Sequence, residues 1–198
     1  VERFAIRNTS LLKSLSKFLL TNVSSPFSVN AYFRLVKETM SVSKETIFEY
    51  ISHLEEANMI FFVPIYDYSL KKQQVNPKKG YCIDTGLRNV VAFKFSEDEG
   101  RLAENIVFLE LKRRKEEVYY WKNMKEVDFL TKNKDGSLRA MNVSYTNDIN
   151  EREVQSLLEC KRTFGPKLVE LCILTKDLEK KENGISYIPL WKWLLSPL

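Results

Sequence analysis

Two acidic residues in the second half of the chain, Glu104 and Asp128, are placed where they could act together on a metal ion. Glu104 heads a row of apolar residues at i+3, i+4 and i+7 of a predicted helix over 101–114, so its carboxylate is expected on the packed face. Asp128 lies in a predicted strand over 126–130, where period-two alternation puts Glu126 on the same face. Mg²⁺ takes carboxylate ligands from proteins, together with phosphate and water. The pattern therefore predicts a Mg²⁺ site for phosphodiester cleavage. Glu126 is expected either as a further ligand or as a surface partner of Lys125, the residue before it.

The strand that follows should complete such a site. Residues 138–145 alternate so that Asn142 and Ser144 share one face. Cleavage needs a positive charge near the attacked phosphate, and serine cannot provide one. Lys122, Arg152 and Lys161 are the residues that could supply this charge from another element.

The elements that must position these residues can be read from the sequence around them. Aromatic and β-branched residues predict a strand over 118–121, and Asp135-Gly136 predicts a tight turn. A helix is expected over 147–164, a buried strand over 169–175, a last strand over 185–188 and a short helix over 189–195.

The order helix, three strands, helix, strand resembles the PD-(D/E)xK nuclease superfamily. The segments GRLAENIVFLELKRR, VYYWKNMKEVDF, YCIDTGLRN and IPLWKWLL resemble more narrowly a nuclease-like C-terminal domain of undefined function. That domain follows AAA+-type P-loop ATPases of archaea and bacteria. The resemblance implies an α/β (α+β) fold, with a winged-helix domain over 1–95 followed by a nuclease-like domain over 96–198. The second domain would contain a mixed sheet flanked by helices.

Carried over residue by residue, the resemblance makes Glu104 the helix carboxylate and Asp128 the strand carboxylate. Asn142 falls where the superfamily has Glu or Gln, and Ser144 falls where it has Lys. Losing such an electrostatic group costs roughly a hundredfold to a thousandfold in rate. We therefore expect a degenerate nuclease site.

The first half reads as three helices followed by two strands, which fits a winged helix. The helices are expected over 8–20, from 28 or 30 to 37, and over 43–58, and the strands over 60–68 and 80–83. The loop between the strands carries four lysines that could contact nucleic-acid phosphates: Lys71, Lys72, Lys78 and Lys79. The outward face of the third helix carries mostly glutamates, which argues against its lying in a DNA groove.

Composition places bounds on the setting of the chain. The net charge of +5 permits contact with nucleic acid without requiring it. Three cysteines without metal-ligand spacing predict buried free thiols and a reducing, cytoplasmic compartment, and no apolar run approaches the length of a membrane span. The chain begins with valine, so we expect a fragment or a processed chain. It holds no GxxxxGK[ST] loop, so ATP is expected only if an ATPase domain lies upstream.

Three functions remain open from the sequence. The first is a C-terminal binding or regulatory module of a P-loop ATPase that contacts DNA or a partner protein. The second is an active Mg²⁺-dependent DNA nuclease, and the third is a winged-helix transcription factor. Lack of the lysine and of the P-loop favours the first.

Overall fold

The computed structural model describes Phe4 and residues 6–91 and 98–196. In chain order, the helices and strands are α1 (Thr9–Thr21), β1 (Ser25–Phe27), α2 (Val29–Val36), α3 (Lys44–Glu56), β2 (Ile60–Val63), α4 (Leu70–Val75), β3 (Lys78–Cys82), α5 (Thr85–Val91), α6 (Asp98–Arg113), β4 (Glu117–Lys122), β5 (Glu126–Lys132), β6 (Leu138–Ser144), α7 (Glu151–Phe164), β7 (Leu168–Thr175), β8 (Lys180–Glu182), β9 (Ile185–Pro189) and α8 (Leu190–Leu194). This mixture of helices and strands confirms the α/β class. Within the described residues, no helix has the length and apolar character needed to span a membrane.

The described residues form two compact units. The first takes the residues up to Val63 and those from Asn76 to Val91, and the second takes Pro64–Val75 and residues 98–196. The predicted domain boundary between residues 95 and 96 lies outside the described residues.

The first unit packs α1, α2 and α3 beside a three-stranded antiparallel sheet of order β1-β3-β2. Two helices of this unit begin at side-chain caps: Asn8 Oδ1 accepts from Leu11 N at 2.9 Å, and Ser43 Oγ accepts from Thr46 N at 3.2 Å. Asn58 ends α3 with a φ of 54°, as a left-handed cap requires. The short strand β1 was not predicted, because Ser-Pro read as a break in the chain.

The predicted strand over 60–68 is confirmed only as far as Val63. Pro64 cannot donate to a ladder, and the chain leaves the three-stranded sheet there. Residues 64–66 instead run beside β4 in the second unit, where Tyr120 N donates to Pro64 O at 3.1 Å and Tyr66 N donates to Tyr120 O at 2.7 Å. The predicted single loop over 71–79 is correspondingly wrong, because its first half is helix α4 and its last two residues belong to β3.

The second unit is built on a six-stranded mixed sheet of order β4-β5-β6-β7-β9-β8. The pairs β6–β7 and β7–β9 are parallel and the remaining pairs are antiparallel. Helix α7 packs on β5, β6 and β7, where Leu157 and Cys160 join a buried cluster with Leu138, Ala140 and Ile173. Helices α6 and α8 contact each other and pack on other parts of the sheet. The edge strand β8 was missed because its three residues are charged and exposed.

Strand β5 departs from the simple alternation predicted for it. Its pairing with β4 shifts between Tyr119↔Leu130 and Trp121↔Val127. Strand β5 therefore has two residues in this interval, Asp128 and Phe129, where β4 has one. A bulge of this kind changes which side chains share a face. Accordingly, Val127 and Leu130 lie in the same buried cluster, although they are three residues apart.

Candidate functional site

Glu104 lies on the buried face of α6, as its row of apolar neighbours predicted. Its exposed fraction is 9%, and Val107, Phe108 and Leu111 of the same row are also buried. The next residue, Asn105, is fully buried and was not singled out from the sequence. Because α6 packs on β4 and β6, these two polar residues belong to the buried side of the helix.

Asp128 and Asn142 hold β5 and β6 together where their regular pairing stops. The ladder ends at Phe129↔Met141, and one further step would place Asp128 opposite Asn142. Side chains make the bonds there instead: Asp128 N donates to Asn142 Oδ1 at 3.1 Å, and Val143 N donates to Asp128 Oδ2 at 3.0 Å. Both side chains therefore accept a hydrogen bond from a backbone N–H of the neighbouring strand, at the position predicted for metal ligands.

Asn142 is also tied to α7 on the covered face of the sheet. It has no exposed surface, and its Nδ2 donates to Glu153 Oε2 at 2.8 Å, to Glu153 O at 3.0 Å and to Ser156 Oγ at 2.7 Å. Sequence reasoning missed Glu153 and Ser156. The one sign in the sequence is that Ser156 adjoins Leu157 of the predicted apolar stripe. The amide is thus bonded on both its oxygen and its nitrogen.

Glu126 and Ser144 lie at the margins of this arrangement. Glu126 Oε2 is 3.3 Å from Lys122 Nζ, its cross-strand partner on β4. Ser144 is partly exposed at the end of β6, and its carbonyl oxygen accepts from Thr146 N at 2.6 Å. The pairing expected for Glu126 was with Lys125, whereas the structure gives Lys122.

The three residues considered as replacements for the missing lysine all have other contacts. Lys122 pairs with Glu126, and Arg152 Nη2 is 3.5 Å from Glu153 Oε1 on an exposed part of α7. Lys161 Nζ donates to Leu168 O. Each of these cationic groups therefore lies close to a carboxylate or carbonyl oxygen of the protein.

Within the described residues, no group of three or more His, Cys, Asp or Glu side chains is arranged to hold a metal ion. Of the predicted ligands, the structure brings Asp128 into contact with Asn142, whose amide oxygen is a neutral ligand already bonded to Asp128 N. The residues at this point fit a structural junction between strands better than they fit Mg²⁺.

A second buried carboxylate, on α6, has a clear structural role. Glu110 Oε2 accepts from Arg113 Nε at 2.7 Å, and Glu110 Oε1 accepts from Arg114 Nε at 2.6 Å. These hydrogen bonds, with Arg113 the larger contributor, lower the pKa of Glu110 to about 2. The basic run at 112–115 thus serves in part to neutralise an acid of its own helix.

The four lysines predicted to contact nucleic acid are divided between the two units. Lys71 and Lys72 lie on α4 in the second unit, while Lys78 and Lys79 lie on β3 in the first. Lys79 is only 1% exposed, so its side chain is enclosed by protein and does not reach the surface as a wing lysine would. Lys78 is exposed, and its positive charge attracts the carboxylate of Glu55 on α3.

The sequence matches two described families, one over each half. Residues 2–98 match a domain of unknown function, DUF8612, and residues 99–193 match another, DUF4143. An uncharacterized protein of Methanocaldococcus jannaschii is 31% identical over 99% of this chain and 47% of its own length. An uncharacterized protein of Haemophilus influenzae is 31% identical over 98% of this chain and 48% of its own length. The chain therefore spans about half the length of these curated relatives.

No solved structure matches the chain significantly. The first half of the chain is therefore similar to DUF8612 domains and the second half to DUF4143 domains, and nearly the whole chain is similar to uncharacterized proteins of an archaeon and a bacterium.

Proposed function

We propose that this chain is a binding and regulatory module of a larger P-loop ATPase, and that its second unit is a nuclease-like domain that has lost cleavage. The observation that carries the proposal is the junction of Asp128 and Asn142, whose polar atoms bond the neighbouring strand and α7. An active site would leave such groups directed at a metal and a phosphate.

The order of elements in the second unit supports the nuclease-like ancestry. Helix α6 is followed by the antiparallel strands β4, β5 and β6, then by α7 and by β7, which pairs in parallel with β6. This is the order that suggested the PD-(D/E)xK resemblance. The bulge at Asp128 and Phe129 also supports this ancestry, since β-bulges are over-represented next to active sites.

The ATPase context rests on the resemblance and on length. The chain has no P-loop of its own, and it covers 47% and 48% of the relatives that it matches. Those proteins are therefore long enough to contain a nucleotide-binding domain outside the region that matches this chain.

The first unit is better suited to contact protein than to read a DNA groove. Helix α3 exposes Glu45, Glu49 and Glu56, which would repel phosphates. The same helix exposes Phe48 to 57%, and an exposed aromatic ring among polar residues is typical of a protein contact. This weighs against a winged-helix transcription factor.

A cleavage assay tests the loss of activity. Plasmid and single-stranded DNA would be incubated with the protein in Mg²⁺ and in Mn²⁺, and we expect no products above the buffer control. The matched variant is Asp128→Asn, which keeps an oxygen acceptor for Val143 N but removes the charge. Metal-dependent cleavage by the natural chain that disappears in Asp128→Asn, with its fold unchanged by circular dichroism, would overturn the proposal.

Ser144→Lys asks whether the missing lysine alone explains the loss. Ser144 is partly exposed, so a lysine can be accommodated there. We expect this variant to remain inactive, because Asp128 and Asn142 are still occupied in joining β5 and β6. Cleavage restored by this one substitution would show that the acidic residues had remained available to a metal.

A further inference from the structure

An exposed aromatic ring lies on the segment Pro64–Val75, which follows β2 in the chain and belongs to the second unit. Tyr68 is 71% exposed, which is unusual for so large a ring. It is nevertheless held in place, since Tyr66 meets it edge to face at 5.7 Å between centroids and Phe164 of α7 does so at 6.5 Å. Tyr66 itself packs against Tyr119 at 5.2 Å. Two neighbouring rings therefore support Tyr68, while most of its own surface remains exposed.

Positive charge surrounds this ring. Lys167 Nζ lies 5.5 Å from the Tyr68 ring centroid. Lys71 and Lys72 follow Tyr68 within four residues, on α4. Lys72 Nζ is 3.3 Å from Asp67 Oδ2, and this exposed pair is weak because water screens both groups.

The acidic groups near the ring do not cancel the lysines. Besides Asp67, Glu117 is the nearby acid, and its Oε1 accepts from Tyr119 Oη at 2.5 Å. Its other oxygen lies 3.8 Å from Lys132 Nζ. Of the residues named here, Lys71, Lys72, Lys132 and Lys167 carry four positive charges, and Asp67 and Glu117 carry two negative charges, which leaves a net positive charge.

We infer that Tyr68, together with Lys71, Lys72 and Lys167, forms a binding surface for single-stranded nucleic acid. This rests on the proposed role as a binding module and names its partner. An aromatic ring stacks on any unpaired base, and lysines beside it neutralise the adjoining phosphates. Duplex DNA hides its base faces, and an acidic peptide would use the lysines without needing the ring.

Binding of a fluorescein-labelled oligothymidine of 20 nucleotides to the full chain tests this surface. Fluorescence anisotropy would be recorded in EDTA between 50 and 200 mM salt, so that no metal-dependent cleavage can occur. Tyr68→Ala should weaken binding by about 5- to 150-fold, the range that corresponds to the loss of one base-stacking ring. Tyr68→Phe keeps the ring and should bind as the natural chain does. Because Tyr68 is exposed, neither change should alter the thermal midpoint.

The lysines are tested by the salt dependence of the same binding. Each of Lys71→Gln, Lys72→Gln and Lys167→Gln should reduce the slope of log K against log salt by about 0.7, as expected for one lost phosphate contact to a single strand. Lys181→Gln on the exposed edge strand β8 is the matched control and should leave both affinity and slope unchanged.

Three results would overturn the surface. They are absence of binding at 50 mM salt, binding unaffected by Tyr68→Ala, and equally tight binding of duplex DNA or poly-glutamate. The last would identify a general polyanion or acidic-protein site. Cleavage of DNA in Mg²⁺ would instead contradict the proposed function and leave this surface intact, so the two failures are distinguishable.

Discussion

Asn142 shows how one residue can be polar, fully buried and still structural. Its amide joins three elements: the oxygen accepts from Asp128 N on β5, and the nitrogen donates to Glu153 and Ser156 on α7. A buried amide is tolerated when its hydrogen-bonding groups are satisfied, and here they are. Asparagine is a weaker metal ligand than a carboxylate, but its amide both accepts and donates hydrogen bonds, as the contacts with β5 and α7 require.

Removing that amide should therefore destabilise the second unit. Asn142→Ala removes the fully buried amide that accepts from Asp128 N and donates to Glu153 and Ser156, so we expect a loss of about 1–3 kcal/mol in the free energy of unfolding. Urea unfolding followed by tryptophan fluorescence measures it. Ser144→Ala, two residues along the same strand and partly exposed, should stay within about 0.5 kcal/mol. Equal effects of the two changes would show that the junction contributes little.

Glu110 gives the chain a dependence on acid that can be assigned to one carboxylate. Its pKa falls to about 2 in the folded protein, below the ordinary value of 4.5, because Arg113 and Arg114 bond its charged form. A carboxylate with a lowered folded pKa stabilises the protein above pH 4.5, and this contribution is lost as the pH falls toward 2.

Glu110→Gln should remove this contribution. We expect a loss of about 1–2 kcal/mol at pH 7 and a smaller difference from the natural chain at pH 3, since there the unfolded carboxyl is already protonated. Chemical denaturation at both pH values is the measurement. A difference between the two chains that did not shrink on acidification would mean that the ion pairs are not the source of the stability.

At the scale of elements, Arg114 fastens the last helix to α6. Its Nη2 donates to Trp193 O at 3.0 Å and to Ser196 O at 3.2 Å, and its guanidinium lies 4.6 Å from the Trp193 ring centroid. The carbonyls at the end of α8 thereby obtain a cationic donor, which helix C-termini favour. The basic run at 112–115 thus also makes long-range contacts, because Arg114 bonds residues that are 79 and 82 positions further along the chain.

Arg114→Ala should loosen α8. Because a cation–π contact and two hydrogen bonds to a charged donor are lost, we expect the amides of residues 190–196 to exchange with deuterium about tenfold faster. Arg113→Ala is the control: Arg113 binds the same carboxylate from the exposed side of α6, so the exchange of α8 should not change. Acceleration of α8 by both variants would assign the effect to Glu110 and not to the contacts of Arg114 with the end of α8.

At the scale of the whole molecule, the segment Pro64–Val75 follows β2 of the first unit but belongs to the second unit, where it lies beside β4. Tyr66 anchors it, with centroid distances of 5.2 Å to Tyr119 and 5.5 Å to Phe164. The segment also bonds the outer side of β4 through Tyr120. An edge strand that would otherwise offer unpaired backbone groups is thus partly closed by the chain itself.

Tyr66→Ala should destabilise the second unit by about 1–3 kcal/mol, because each aromatic pair contributes about 0.5–1.5 kcal/mol. Protection of the β4 and α7 amides against exchange is the readout, and it should fall. Tyr68→Ala, whose ring is exposed, should leave that protection unchanged. If Tyr66→Ala were equally harmless, the segment would be lying on the sheet without stabilising it.

The sequence by itself determined the helices, most of the strands and the burial of Glu104, because each depends on a pattern that repeats within one element. The caps at Asn8 and Ser43 are also local, since each bonds a backbone group three residues away. Free, buried cysteines were expected and are observed.

Only the tertiary structure decided what the polar residues do. The bonds of Asn142 to α7 and the contacts of Arg114 with the end of α8 join groups that are 11 to 82 positions apart, and the bulge at Asp128 depends on how β5 pairs with β4. The departure of the chain from its sheet at Pro64, and the pairing of that segment with Tyr120, depend equally on a distant strand. Periodicity shows which face of an element is covered, but it carries no information on which partner covers it, and the partner sets the chemistry of a buried polar group.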